Sequence, residues 1–197
     1  MPKPASPPPL IVGISGASGA VYGVRILQAL RTLSVPTQLI MSPSAELTLA
    51  VETGLKPADV KALADVCHNC RDIAAAPASG SFRTRGMVIA PCSIRTMSEI
   101  ATGVTSSLLT RAGDVTLKER RRLVLMVRET PLHTGHLRTM TALSEMGAII
   151  APPVPAFYAA PSSIDELIEH TVGRALDLFD LDTGTFTRWR EGAGEED

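Results

Sequence analysis

Leu123-Val-Leu-Met-Val-Arg-Glu-Thr-Pro-Leu132 begins with five uninterrupted apolar residues and stops abruptly on a cation and a carboxylate, Arg128 and Glu129. A strand with one wet face would alternate apolar and polar side chains. An unbroken apolar run is the pattern of a strand covered on both faces, as in the parallel sheets of α/β proteins. In open sheets of that kind, ligands settle at the carboxyl ends of the strands, where the strand order reverses. The charged pair is therefore read as an anion site with its own proton donor; a surface ion pair is the alternative.

Four more runs share this character: Leu10–Ile14, Thr37–Met41, residues 87–90 and residues 148–151. Amphipathic stretches follow most of them and predict helices over 20–33, 44–53, 93–102, 135–146 and 164–179. In the first helix, Val21, Val24, Leu27 and Leu30 recur at three-residue spacing and form one apolar stripe. In the last, Ser163 stands at the capping position with Glu166 three residues on. The longer crossover between Gly54 and Arg85 holds one helix near 58–64 and a Pro/Gly/Ser-rich loop at 77–81. Strands alternating with helices specify βα units, hence a mostly parallel sheet with helices on both faces. The chain divides into a stiff, disordered leader (residues 1–9), one α/β domain (10–182) and a loosely held C-terminal tail (183–197) that contains Trp189.

Composition narrows the class. With 45% hydrophobic residues but only 4% aromatic, the core must be built of Ala, Val, Ile and Leu, which suits a sheet between helices. A net charge of −1 gives no global attraction to nucleic acid or anionic membrane. No apolar segment approaches the ~20 residues that span a bilayer, and the leader lacks the apolar stretch of a signal peptide. Three cysteines do not make a disulfide framework, so a reducing cytoplasm is the simplest compartment.

Three strand ends carry complementary chemistry. Gly13-Ile-Ser-Gly-Ala-Ser-Gly-Ala20 joins the first strand to a helix whose N–H groups and small residues admit a phosphate. The spacing is G-x-x-G-x-x-G, and the second strand ends at Met41-Ser42 without the acidic residue that holds a nicotinamide ribose, which favours a mononucleotide such as FMN. A tight turn with no ligand is the competing reading. Pro91-Cys-Ser-Ile-Arg-Thr96 offers Ser93 and Thr96 at another helix start, although capping alone explains Ser93. Pro152-Pro-Val-Pro-Ala-Phe-Tyr158 reads as a stiff bracket that holds Phe157 and Tyr158 over the sheet edge. Cys67-His-Asn-Cys70 has no second ligand pair, and His133 and His136 have no evident third ligand, so no metal site is expected. Lys118-Glu-Arg-Arg-Arg122 lacks interleaved aromatics and reads as a solvated face or subunit contact.

Several motifs in series resemble the UbiX-type flavin prenyltransferases. They are Gly13–Gly19, Ala78-Ser-Gly-Ser-Phe-Arg83, Gly86-Met-Val-Ile-Ala-Pro-Cys-Ser93, Leu109-Thr-Arg-Ala112, Asp114-Val-Thr-Leu-Lys-Glu-Arg120, Arg128-Glu-Thr-Pro131 and the Pro152–Tyr158 bracket. The likeness runs from about Leu10 to Trp189. It implies a flavodoxin-like Rossmann fold and a homo-oligomer, typically a dodecamer, with sites at subunit interfaces. It implies transfer of a dimethylallyl group from dimethylallyl monophosphate to reduced FMN, with alkylation at N5 and ring closure at C6. The prenylated FMN would serve UbiD-type decarboxylases in routes such as ubiquinone biosynthesis.

By motif position, the resemblance assigns FMN contacts to Gly16, Ala17, Ser18, Ser42, Ser93, Ile94, Arg95, Thr96 and Arg128. It assigns the allylic phosphate to Tyr158 and Arg174, with Arg111 and Lys118 as further contacts. Ser18, Glu52 and Glu129 would handle protons, and Trp189 would wall the prenyl pocket. The residue chemistry agrees: a monophosphate leaves poorly and needs concentrated cationic charge in a dry site. The chain departs from the family pattern at Pro43, where lysine is common, at Arg95 for lysine, and at Val127 for proline. The rival readings are a flavin-dependent decarboxylase and a non-enzymatic flavin carrier.

Overall fold

A computed structural model describes residues 7–186 and residue 188. In chain order the elements are β1 (Leu10–Ile14), α1 (Ala20–Thr32), β2 (Thr37–Met41), α2 (Pro43–Thr53), α3 (Pro57–Lys61), β3 (Val66–His68), β4 (Gly86–Cys92), α4 (Ile94–Thr102), α5 (Leu108–Lys118), β5 (Arg122–Val127), α6 (Thr134–Glu145), β6 (Ile149–Ile150) and α7 (Ile164–Asp177). All pairings are parallel, in the order β3-β2-β1-β4-β5-β6. The strand order reverses between β1 and β4, which places a topological switch point at the centre of the sheet.

The apolar runs behave as their pattern requires. Every residue of β1 and β4 is buried, as are the last five of β5. Because side chains alternate across a strand, each strand feeds two cores. Leu10, Val12, Ile14, Val88, Ala90, Val124 and Met126 pack beneath α1 and α7. Ile11, Met87, Ile89, Leu123, Leu125 and Val127 pack beneath α4, α5 and α6. Ser163 caps α7 by accepting from Glu166 N at 3.2 Å, while the Glu166 carboxylate returns to Ser162 N and Oγ.

Two elements differ from the sequence expectation. β3 is a short, largely exposed edge strand with no apolar run to announce it. α5 fills a segment for which the sequence pattern predicts no helix; its Gly113 interrupts the helical pattern because a Cβ there would lie 2.7 Å from Ile100 Cδ1. The glycine is needed for α4 and α5 to approach, and it weakens the local helix signal. The chain beyond Thr183, expected to be loosely held, folds back as far as Phe186, whose ring packs on Gly173 of α7.

α5 ends in a reciprocal pair of backbone bonds, Arg121 N to Thr116 O (3.0 Å) and Arg120 N to Leu117 O (2.9 Å). This closure puts Arg120 at φ 55°, a left-handed position that glycine adopts without steric cost. Arg120→Gly should therefore raise the unfolding free energy by about 1 kcal/mol, read as a higher urea midpoint at unchanged slope.

Candidate functional site

The two chains leaving the switch point are pinned by one buried hydroxyl. Ser15 Oγ donates to Pro91 O (2.8 Å) and accepts from Ser93 N (2.7 Å), joining the ends of β1 and β4. The end of β2 joins them through Ser42 N, which donates to Ile14 O at 3.0 Å. Gly16 lies so close to α2 that a Cβ there would sit 2.4 Å from Ser44 Cβ. These three loops border a cleft of about 520 Å³ at the carboxyl edge of the sheet.

Three helix starts face this cleft. Ser42 caps α2, Ser93 caps α4 and Ser107 caps α5 through a reciprocal pair with Thr110. Aligned helix N-termini carry partial positive charge and suit an anion. Arg95 also lines the cleft, its side chain 80% exposed, with Nε held 2.8 Å from Glu99 Oε1. Its terminal guanidinium nitrogens carry no hydrogen bond among the described residues. Burial would raise the Glu99 carboxyl, but hydrogen bonds from Ser106, Arg95 and Thr110 hold it below the usual carboxylate range. Of the expected flavin contacts, Gly16, Ser42, Ser93, Arg95 and Thr96 line the cleft, whereas Ala17, Ser18, Ile94 and Arg128 do not. Glu99 and Ser107 were missed, although Ser107 could have been found as a capping residue.

The start of α1 is not the free phosphate cradle expected from the glycine loop. Gly19 N and Ala20 N donate to Glu52 Oε2 at 2.8 and 3.0 Å. A carboxylate thus already takes the donors assigned to phosphate, stabilised by the same helix dipole. Burial alone would raise the Glu52 carboxyl; hydrogen bonds from Ser18, Gly19 and Ala20, with the nearby Arg128 charge, bring it below its ordinary value. Ser18, Glu52 and Arg128 are therefore neighbours.

Arg128 and Glu129 are both exposed, so the argument that a buried charge needs a partner does not hold within one chain. They form no ion pair with each other among the described residues; Glu129 Oε1 accepts from its neighbour Thr130 N at 3.0 Å.

A second cavity, about 290 Å³, opens between the carboxyl ends of β5 and β6 and α7 and is lined by Tyr158, His170 and Arg174. The proline bracket leaves Phe157 75% exposed and turns only Tyr158 into the cavity. Tyr158 Oη lies 3.2 Å from the buried His170 Nε2. Asp177 receives Arg174 at 2.7 Å and Arg188 at 2.5 Å, and both guanidinium groups lie against the Phe186 ring. Hydrogen bonding from Arg188 is the main reason that the Asp177 carboxyl lies low, with Arg174 adding to it and burial opposing. His170 went unnoticed in the sequence. Its position one helical turn before Arg174 was the available signal.

Arg111 and Lys118 do not join Tyr158 and Arg174 within one chain. They lie on α5, in the opposite helical layer, where Arg111 bonds Ala78 O (3.3 Å) and Asp114 (2.7 Å) and Lys118 pairs with Glu119. Trp189 lies outside the described residues. Cys67 is exposed and Cys70 buried, both free thiols.

Comparison with known proteins gives one consistent answer. Residues 2–176 match the family model described as Flavoprotein. The flavin prenyltransferase UbiX of Salmonella typhimurium is 61% identical over 184 residues, 92% of this chain and 97% of its own. UbiX of Thauera aromatica is 55% identical over 180 residues, 91% of this chain and 93% of its own. The crystal structure of AnUbiX (PadA1) in complex with FMN and dimethylallyl pyrophosphate superposes with a TM-score of 0.92 at 52% identity, over 93% of this chain and 98% of its own. A dodecameric FMN-dependent UbiX-like decarboxylase from Escherichia coli O157:H7 gives 0.90 at 50% identity, over 91% and 98%. No helix among the described residues is long and apolar enough to cross a membrane.

Because the folded Glu52 carboxyl lies below its unfolded value, its contribution is present above the usual carboxylate range and disappears as pH falls through the folded value. Glu52→Gln should therefore unfold at lower urea than the parent at pH 7. The gap should close toward pH 3; a gap unchanged across that range would exclude the charged cap.

Proposed function

The chain belongs to the UbiX-type flavin prenyltransferases, and from that membership we propose that it transfers a dimethylallyl group from dimethylallyl monophosphate to reduced FMN. The observation that carries this reading is the pairing of two cavities at one sheet edge. One faces three helix N-termini, and the other pairs a tyrosine hydroxyl with the guanidinium of Arg174, anchored on Asp177.

The first cavity fits a flavin mononucleotide. Its close Gly16–Ser44 approach makes a narrow slot, while the hydroxyls of Ser93 and Thr96 and the spare nitrogens of Arg95 can hold a phosphate. Reduced flavin supplies the nucleophilic nitrogen that receives the allyl carbon. The chain supplies the setting for the departing phosphate. Arg174, kept in place by Asp177, meets the charge that grows on the bridging oxygen as the carbon–oxygen bond lengthens. Tyr158 donates to a phosphate oxygen, with its hydroxyl oriented by His170. Ser18, Glu52 and Glu129 manage the proton that the acceptor nitrogen loses, and Arg128 supports the negative acceptor.

Arg111 and Lys118 complete the phosphate clamp from a neighbouring subunit of a homo-oligomer, a reading that their place in the opposite layer supports. Trp189 walls the prenyl pocket. The product passes to a UbiD-type decarboxylase.

Anaerobic incubation of the purified chain with reduced FMN and dimethylallyl monophosphate should yield a flavin heavier by one dimethylallyl group; an unaltered flavin would overturn the proposal. Arg174→Ala should raise KM for the donor about tenfold or more with FMN affinity nearly unchanged, since it removes a charge-assisted phosphate contact. Gly16→Ala should act oppositely. It should weaken FMN binding by about tenfold through the contact with Ser44, measured by fluorescence titration, and leave donor KM in the FMN-saturated enzyme close to that of the parent.

A further inference from the structure

At the other edge of the sheet, beside the amino ends of β4, β5 and β6, lies a cavity of about 510 Å³ that the transfer reaction does not use. Its lining includes four arginines, Arg85, Arg120, Arg121 and Arg122, and one acidic residue among those described, Asp180. We propose that this cavity binds a small phosphate-bearing anion.

Two of the four arginines are anchored by the fold. Arg121 donates to Gly80 O (2.7 Å) and Phe82 O (2.6 Å), and Arg122 pairs with Asp180 at 3.1 Å. The other two are not. Arg85 Nε is buried with no acceptor, and the adjoining Thr84 hydroxyl is buried and unpaired too. The Arg120 side chain makes no hydrogen bond or ion pair among the described residues, and its backbone holds the left-handed conformation that costs least for glycine. A buried guanidinium nitrogen without an acceptor is unfavourable, and water can satisfy its hydrogen bond without offsetting the local excess of positive charge. An anion does both. The planar forks of several guanidinium groups match phosphate oxygens better than a lone carboxylate.

The shape argues for a small ligand. The cavity is concave and of ordinary ligand-site size, about 300–1,000 Å³. Among the described residues its one lining aromatic is Phe179, whose ring is buried in the core and offers no face for a nucleobase to stack on. Recognition rests on the phosphate itself. The site is separate from the flavin cleft, which lies at the carboxyl edge.

Pyrophosphate is the probe, titrated calorimetrically into the full-length, FMN-saturated protein carrying Arg174→Ala, so that binding in the flavin cleft and at the proposed donor cavity is suppressed. One molecule per chain should bind at low salt, more weakly as sodium chloride is raised. Adding Arg85→Gln or Arg120→Gly should each weaken this binding about tenfold or more. Arg120→Gly is the decisive variant, because it relieves backbone strain and a loss of binding cannot come from misfolding. Absence of binding in the Arg174→Ala protein, or the same affinity after both further substitutions, would overturn the proposal. Neither result depends on whether Arg174 serves the transfer reaction, since that is read from donor KM in an otherwise unaltered protein.

Discussion

A single hydroxyl, Ser15 Oγ, holds the end of β1 to the end of β4, and the geometry of the carboxyl edge follows from it. The two strands are neighbours in the sheet, yet their chains leave toward opposite helical layers. Without a shared anchor the divergence would open a gap between them. With it, the crevice has fixed walls, and Ser42 N to Ile14 O adds the third loop to the same frame. Ser15 is buried and hydrogen-bonded on both sides, so removing its hydroxyl would leave the Ser93 N–H without its acceptor and the Pro91 carbonyl with only the longer bond from Ser15 N (3.2 Å).

On that frame, charge is sorted by location. The starts of α2, α4 and α5 face the first cleft with no carboxylate over their backbone donors among the described residues, whereas at the start of α1 Glu52 takes them. The second cavity sits on the α1 and α7 side, and its Arg174 is held by Asp177 and lies against the Phe186 ring. The remaining candidate phosphate ligands, on α5, lie beyond the sheet from it. Within one chain, Arg111 and Lys118 therefore do not reach the cavity that Tyr158 and Arg174 line.

Strand positions were legible because full burial writes an unbroken apolar run, and β1, β2 and β5 lie within a residue of where the runs place them. Legibility failed where tertiary contact overrides local preference. Gly113 weakens the α5 pattern in order to admit Ile100, and β3 is an edge strand that buries too little to need apolar residues. The same held for the site. Ser42, Ser93 and Thr96 were readable as small polar residues at strand ends. Glu99, Ser107 and His170 act through neighbours distant from the glycine and arginine motifs that drew attention.

The alternation of buried strands with helices, the family, and the residue types at the strand ends were determined by sequence alone, because they depend on hydrophobic periodicity and local motifs. Which donors remain free was decided only in three dimensions. The glycine loop offers the same N–H groups on paper, yet Glu52, over thirty residues away, occupies two of them. Arg128 and Glu129 end a buried strand but emerge into solvent, so their charges need no internal partner. Burial and hydrogen-bond satisfaction are properties of the packed molecule, set by segments far apart in the chain, and no local pattern encodes them.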